Sequence, residues 1–348
     1  MNRPSIMSAI KTLALAVSTA ALALAIASPV KADEGDFFKG KTVRLVVGFG
    51  AGGGYDAYAR MIAPRLGKAL GANLVVENQP GAGGLTALNR TYIAPADGLT
   101  LMIVNGTAAG LSEIVQEPGV KYELGKFGNL GIVSASPWVW LVNAEHPIVT
   151  NVQEAMKLGK RIRWSASGPI DGLSDGAAIT CFALKLDCQI VIGYKGSSEA
   201  ALAVTRGEMD SIYVSDTSAN NYVKSGQNKA VATMGRKKSR FFPDLPTIFE
   251  QVQLTPEQVW WFDFRATVDD LGRILVTPPN MAPARLAFLQ DAVKKVLNDP
   301  ELMAEGEKSQ RYIDYQDPET TRKKINDAVS NLTPEQRAQI KQVLSRAK

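Results

Sequence analysis

The sequence predicts an α/β protein of two lobes joined by a hinge, with a cleft between them. Three observations predict this. The chain begins with an export leader, strands alternate with helices behind glycine-rich turns, and the C-terminal helices need a partner far back in the sequence. The leader comes first. Arg3 and Lys11 supply a positive start, Thr12 to Ala27 is an apolar run, and Val30-Lys31-Ala32 offers small residues where a signal peptidase reads. This is the pattern of a cleavable secretory signal over residues 1–32, with cleavage near Ala32. The apolar run is shorter than the roughly 20 residues of a spanning helix. No Cys follows the cleavage site, which argues against a lipid anchor.

Removing the leader from 348 residues leaves 316, long for one hydrophobic core, so two domains are expected. The leader holds three of the 39 basic residues and none of the 34 acidic ones, so the mature chain is only two charges positive. That balance gives no electrostatic footprint for nucleic acid or an anionic membrane. His146 is the one histidine, so a His-based triad or a multi-histidine metal site has almost no raw material. Neither a cofactor nor a catalytic set is expected. Cys181 and Cys188 are the two cysteines. In an exported chain such a close pair is expected to form a disulfide, with two buried thiols as the alternative.

Val43 to Gly48 reads as a strand buried on both faces, followed by the glycine cluster Gly50 to Gly54. Tyr55, Ala59, Ile62, Ala63, Leu66 and Leu70 then recur at helical spacing up to Gly71. Leu74 to Glu77 is a second strand, Pro80 to Gly84 a second glycine turn, a helix runs to about Ile93, and Leu99 to Val104 is a third strand. A second block repeats the alternation. Its strands are expected at 139–142, 161–165, 189–193, 211–214 and 229–233, and its helices at 152–158, 173–186, 197–206 and 217–225. From Pro278 onward the chain is helical, with helices expected at 284–298, 300–309 and 318–329. The pattern is that of parallel sheets covered by helices. The C-terminal helices are expected to return to the first lobe, which gives lobe one as 36–136 plus 234–348 and lobe two as 137–233. Two crossings make a hinge, and the cleft is the expected ligand site.

Two nucleotide-like strings lie near the first strand. Gly48-Phe-Gly-Ala-Gly-Gly53 fits G-x-G-x-x-G, with Glu77 ending the next strand. An exported protein is not expected to meet a nicotinamide pool, and the triple glycine places the tight turn too late. Gly35-Asp-Phe-Phe-Lys-Gly-Lys41-Thr42 fits a phosphate loop but runs into a strand, whereas such a loop must open a helix. What remains is the physics of glycines leading to helix N-termini, whose amides and dipole favour an anion by ~0.3–2 kcal/mol. Gly50 to Asp56, Ser165 to Pro169, Lys195 to Ser198 and Asn105-Gly-Thr107 all present this device. Asp56 is equally suited to capping the helix it opens.

Several segments resemble one family. Val46 to Arg60 is similar to the glycine-rich start of the Bug-type receptors of tripartite tricarboxylate transporters. The likeness continues through Val75-Val-Glu-Asn-Gln-Pro-Gly-Ala-Gly-Gly84, Ala96-Asp-Gly-Leu-Thr-Leu101, Tyr194-Lys-Gly196 with Gly207-Glu-Met-Asp210, and Phe242-Pro-Asp-Leu-Pro-Thr247. The resemblance implies a periplasmic-binding-protein fold with an interlobe cleft. It also implies capture of a small carboxylate and delivery to a two-component membrane permease. The carboxylate would be held by backbone amides, hydroxyls and water, not by an arginine clamp. This chain departs from the pattern in three places. Tyr55 stands where Ser or Thr is common. Val214 occupies a usual Asp position, with Asp216 two residues on. Residues 260–275 diverge from a short strand of the family.

The ligand residues expected are therefore Gly53, Tyr55, Asp56, Asn105 and Thr107 from lobe one, and Ser167, Gly168, Ser197 and Asp216 from lobe two. Tyr55 could stack on a planar ligand. Trp138 and Trp140 alternate in a strand, which suits packing better than binding. The function expected is a monomeric periplasmic receptor for a small carboxylate, aromatic or dicarboxylic, that feeds a tripartite transporter. The alternatives are an exported α/β enzyme using Asp56, Asp171, Asp175 or Asp216, and a receptor that docks on a sensor kinase. Intact-mass measurement of exported protein is expected to show a chain starting close to Asp33. A full-length mass would remove the leader from this reading.

Overall fold

The computed structural model describes residues 34–145 and 151–345. The leader and His146 lie outside the described residues.

Two five-stranded sheets carry the fold. The first runs β2-β1-β3-β10-β4, from Thr42–Val47 (β1), Asn73–Asn78 (β2), Thr100–Asn105 (β3), Gly128–Ser134 (β4) and Arg273–Thr277 (β10). The second runs β7-β6-β8-β5-β9, from Trp138–Asn143 (β5), Ile162–Ser165 (β6), Cys188–Val191 (β7), Ser211–Ser215 (β8) and Asn228–Thr233 (β9). β1 pairs in parallel with β2 and β3, and β6 in parallel with β7 and β8. The fourth strand of each sheet, β10 or β5, is antiparallel to both neighbours. That strand is the one arriving from the other sheet. β5 follows β4 after residues 135–137, and β10 follows the segment that leaves β9.

The central strands β3, β8 and β10 are buried at every residue, as strands covered by helices on both faces must be. β4 ends its sheet and is just as buried, because the helices Pro283–Leu297 and Pro318–Ser330 pack on it. The edge strands β2 and β7 are only half-buried. Covering helices in the first half are Gly54–Leu70 (α1), Leu85–Tyr92 (α2), Gly106–Ile114 (α3), Val152–Lys157 (α4), Leu173–Ala183 (α5), Ser197–Thr205 (α6) and Asp216–Val223 (α7). α1 stops at Gly71, which takes the left-handed conformation at φ 67° and frees the chain to turn into β2.

Ile248–Gln251 (α8), Pro256–Asp269 (α9), Pro283–Leu297 (α10), Pro300–Lys308 (α11), Pro318–Ser330 (α12) and Pro334–Leu344 (α13) complete the chain. From α9 on each begins with Pro at its first turn, where the missing N–H costs nothing. Sequence reading missed α3, β4, α9, β10 and α13. For α9 and α13 the signal was present twice over. Thr255-Pro-Glu-Gln258 and Thr333-Pro-Glu-Gln336 are the same capping box, with the threonine hydroxyl on the Gln amide and the Gln side chain returned to the threonine N–H.

α10 packs on α1 and β4, and α12 on β4 and α3, so most of the C-terminal segment does return to the first sheet. α9 touches both α3 and α5, and α13 packs on α5 of the second sheet. Ile340, Val343 and Leu344 are buried there. The chain thus connects the two sheets a third time, after α12, where sequence reasoning expected two crossings.

Cys181 and Cys188 form a disulfide, with Cα atoms 6.2 Å apart, tying the end of α5 to β7. Closing so short a loop constrains the unfolded chain by about 2–3 kcal/mol. The Cys181→Ser/Cys188→Ser double variant is expected to lose about that much in urea unfolding. No loss would mean that the surrounding packing alone fixes the turn.

Candidate functional site

The carboxyl ends of the parallel strands in both sheets point at a common seam. On the first side the register places Arg273, at the start of β10, opposite both Asn105 and Ser134, the last residues of β3 and β4. On the second side Trp138 lies opposite Ser215, the last residue of β8. Strand ends and helix starts of both sheets therefore meet, the arrangement in which open α/β sheets bind ligands.

The seam is shut. The Gly50 N–H donates to the Lys195 carbonyl at 2.8 Å, and the Asn105 amide to the Asp171 carbonyl at 2.8 Å. Glycine makes this approach possible. A Cβ on Gly168 would stand 2.4 Å from the Gly83 nitrogen and 2.7 Å from the Ala82 carbonyl carbon, and one on Gly54 would stand 2.8 Å from Ser218 Oγ. Between the sheets remains a cavity of about 30 Å³. Gly53, Gly54, Tyr55, Ser197, Val214 and Arg273 are among the residues lining it.

Arg273 is the residue that sequence reasoning missed. It is 4 % exposed. Its guanidinium sits in a ring of hydroxyls: Nη1 donates to Ser134 Oγ (3.2 Å) and Ser136 Oγ (3.4 Å), and Nη2 to Ser215 Oγ (3.0 Å) and Thr217 Oγ1 (3.2 Å). The Tyr58 ring lies 4.4 Å from its carbon and the Tyr55 ring 5.3 Å. Nε has no hydrogen-bond partner. Among the described residues, no carboxylate forms an ion pair with Arg273, whereas Arg265 is held by Asp175 at 2.8 Å and by Asp269. A buried charge without a counter-ion is costly. The hydroxyls offset part of that cost as neutral acceptors, and Ser215 Oγ donates in turn to Ser218 Oγ at 3.3 Å.

The sequence-derived ligand residues divide into two groups. Gly53, Tyr55, Asn105, Thr107 and Ser197 line the cavity. Tyr55 stacks on Phe49 with centroids 5.0 Å apart, and burial pushes its phenol up, so it stays protonated. Asn105 caps α3 while bonding Asp171, and the Thr107 hydroxyl donates to the Val268 carbonyl. Ser197 Oγ accepts from Tyr222. Asp56, Ser167, Gly168 and Asp216 are not among the lining residues. Asp56 folds back on the Gly52 N–H and on Arg60, and these bonds hold its carboxyl below the ordinary range despite burial. The Ser167 and Gly168 amides are already occupied: both donate to Asp171, as does the Ser167 hydroxyl. An internal carboxylate fills the nest that sequence reasoning reserved for a ligand. β8 ends at Ser215, so Asp216 opens α7 instead of extending the strand, and its carboxylate accepts from Ser239 at 2.8 Å. Of the two tryptophans, Trp140 is wholly buried against Trp164, while Trp138 lines the cavity.

A pair of α/β lobes meeting at their strand ends around a small cavity, with a buried guanidinium that lacks an ion-pair partner among the described residues, defines a two-lobed solute-binding protein. The chain belongs to the tripartite tricarboxylate transporter receptor family, whose model matches residues 58–334. A curated relative from Cupriavidus necator, a UPF0065 protein in the gbd 5' region, is 32 % identical over 297 residues and covers 82 % of this chain and 83 % of its own. Among solved structures, the periplasmic binding protein BugD superposes with a TM-score of 0.73 at 23 % identity, covering 87 % of this chain and 97 % of its own. MatC from Rhodopseudomonas palustris, with bound malate, superposes with a TM-score of 0.71 at 21 % identity, covering 87 % and 99 %.

Two measurements follow from this geometry. Gly168→Ala forces a Cβ into the backbone at Gly83, and overpacking of this kind costs ~1–3 kcal/mol. The variant is expected to keep its lobes apart, with a larger radius of gyration by small-angle scattering than the parent. An unchanged scattering curve would count against the seam. Asp216 is the second case. Burial raises its pKa from 3.8 to about 6, against the pull of Ser239 and Arg273. The folded state then holds a proton that the unfolded chain releases between these values. Stability contributed by Asp216 is present below the lower value and lost as pH rises toward the upper one, with a slope of at most about 1.4 kcal/mol per pH unit. Asp216→Asn is expected to flatten that descent in chemical unfolding between pH 4 and 6.

Proposed function

We propose that this protein is a periplasmic receptor that captures a small carboxylate between its lobes and delivers it to the membrane subunits of a tripartite transporter. The single observation that carries the ligand class is Arg273, a guanidinium at the seam with no carboxylate of its own. A ligand carboxylate placed there would gain the free Nε–H and the N-terminus of α1, which has no side-chain cap. Micromolar affinity needs about 8 kcal/mol in total, and one buried charge-assisted pair supplies a substantial part of it. MatC, the similar protein seen with malate, supports a carboxylate as the ligand.

The lobes in this reading are 36–136 plus 234–348 and 137–233, with α13 docked on lobe two. Gly53, Tyr55, Asn105, Thr107 and Ser197 contact the ligand together with Arg273. The chain works as a monomer after export by the leader. An enzymatic role finds no support at the seam. Asp171 and Asp175 are both engaged in internal bonds, as are Asp56 and Asp216 outside it.

A thermal-shift screen of mono-, di- and tricarboxylates is expected to show stabilisation by at least one of them, and none by NADH. Arg273→Gln is expected to weaken binding of that ligand by about 2–5 kcal/mol, with Arg273→Lys less affected. Stabilisation by NADH alone would overturn the proposal.

A further inference from the structure

The cavity has one place for negative charge and a wall that opposes it. Arg273 Nη2 lies 3.6 Å from where a Cβ on Gly54 would stand, and Ser218 Oγ 2.8 Å from the same point. The guanidinium and the start of α1 therefore converge on one carboxylate, not on two. The lining also carries the opposite sign. Asp171 and Asp269 belong to it, next to Asn105 and Thr107. Asp171 accepts backbone N–H bonds at both oxygens, from Ser167 and Gly168 on one and from Leu173 and Ser174 on the other. Asp269 shares the Arg265 guanidinium with Asp175. Arg265 is thus matched by Asp175 and Asp269, and Arg273 is the seam guanidinium without an ion-pair partner among the described residues. Apolar surface from Phe49, Trp138, Leu173 and Val214 makes up much of the rest of the lining.

We infer that the ligand is a monocarboxylate with an uncharged, apolar or aromatic body, and that the site excludes dicarboxylates. This rests on the reading of the cavity as a carboxylate site and narrows it. The anion docks on Arg273 and the α1 N-terminus. Its body lies against Trp138, Leu173 and Val214, with Tyr55 and Phe49 stacked beside it. A second carboxylate would be driven toward Asp171 and Asp269 in a desolvated space, where like charges repel strongly and no free cation among the described lining residues answers them. Rejection of the wrong ligand thus comes from fixed negative charge and not from size.

The test is calorimetric titration of the mature, disulfide-bonded protein at pH 7.5 with matched pairs: straight-chain mono- and dicarboxylates of four to eight carbons, including hexanoate and adipate, and benzoate with terephthalate. The tightest-binding monocarboxylate is expected to bind at least tenfold more tightly than its dicarboxylate partner. A dicarboxylate that binds as tightly as its partner, or more so, overturns the inference. If that binding is lost in Arg273→Gln, the carboxylate reading stands without the narrower class. If no member of any pair binds, both readings fall together.

Discussion

A guanidinium sealed between two sheets has to be answered by oxygen on every side, and the site is arranged around that demand. Arg273 reaches the seam because β10 runs antiparallel, so its first residue comes level with the last residues of β3 and β4. Its four hydroxyl partners come from both lobes. Ser134 ends β4, Ser136 lies on the crossing segment, and Ser215 and Thr217 flank the start of α7. Neutral hydroxyls hold the charge without cancelling it. A carboxylate in their place would have closed the seam more firmly and left nothing for an anion to complete.

The glycines of the seam serve a different purpose from the one their sequence context suggests. G-x-G-x-x-G ahead of a helix points to amides cradling a ligand. In the folded protein Gly54, Gly83 and Gly168 are points where the chain meets the other lobe at distances that leave no room for a Cβ. Amide donation and close approach both select glycine, and spacing alone does not separate them. The Ser167–Gly168 turn shows why. Its amides are as well placed for an anion as expected, and Asp171, four residues further on, supplies that anion from within the chain.

Much of the architecture was legible. Strong periodicity and glycine punctuation placed eight of the ten strands, and the residues resembling the receptor family identified the fold as two lobes. Gly53, Tyr55, Asn105, Thr107 and Ser197 reached the cavity because they sit at strand-to-helix junctions, where backbone order fixes position. Asp216 failed as a strand residue because β8 stops one residue sooner, which turns its side chain toward Ser239. Arg273 could not be read because it lies in the segment that diverges from the family, and its depth depends on pairing with strands 140 and 170 residues earlier. A lone arginine in an apolar strand, Gly272-Arg-Ile-Leu-Val276, was the available hint. Long-range register is what converts such a hint into a site.

The docking of α13 on α5 also has a mechanical side. Two bodies joined by two flexible links retain a bend and a twist. A third link that does not lie on the same line removes the twist, and any relative movement is then confined to a single path. The links here are the 135–137 crossing, the segment from β9 through α9 to β10, and the turn between α12 and α13. Faces that must come together with no clearance for a methyl group cannot tolerate arriving rotated. One degree of freedom is the constraint under which Gly168 and Gly83 can meet in a single register.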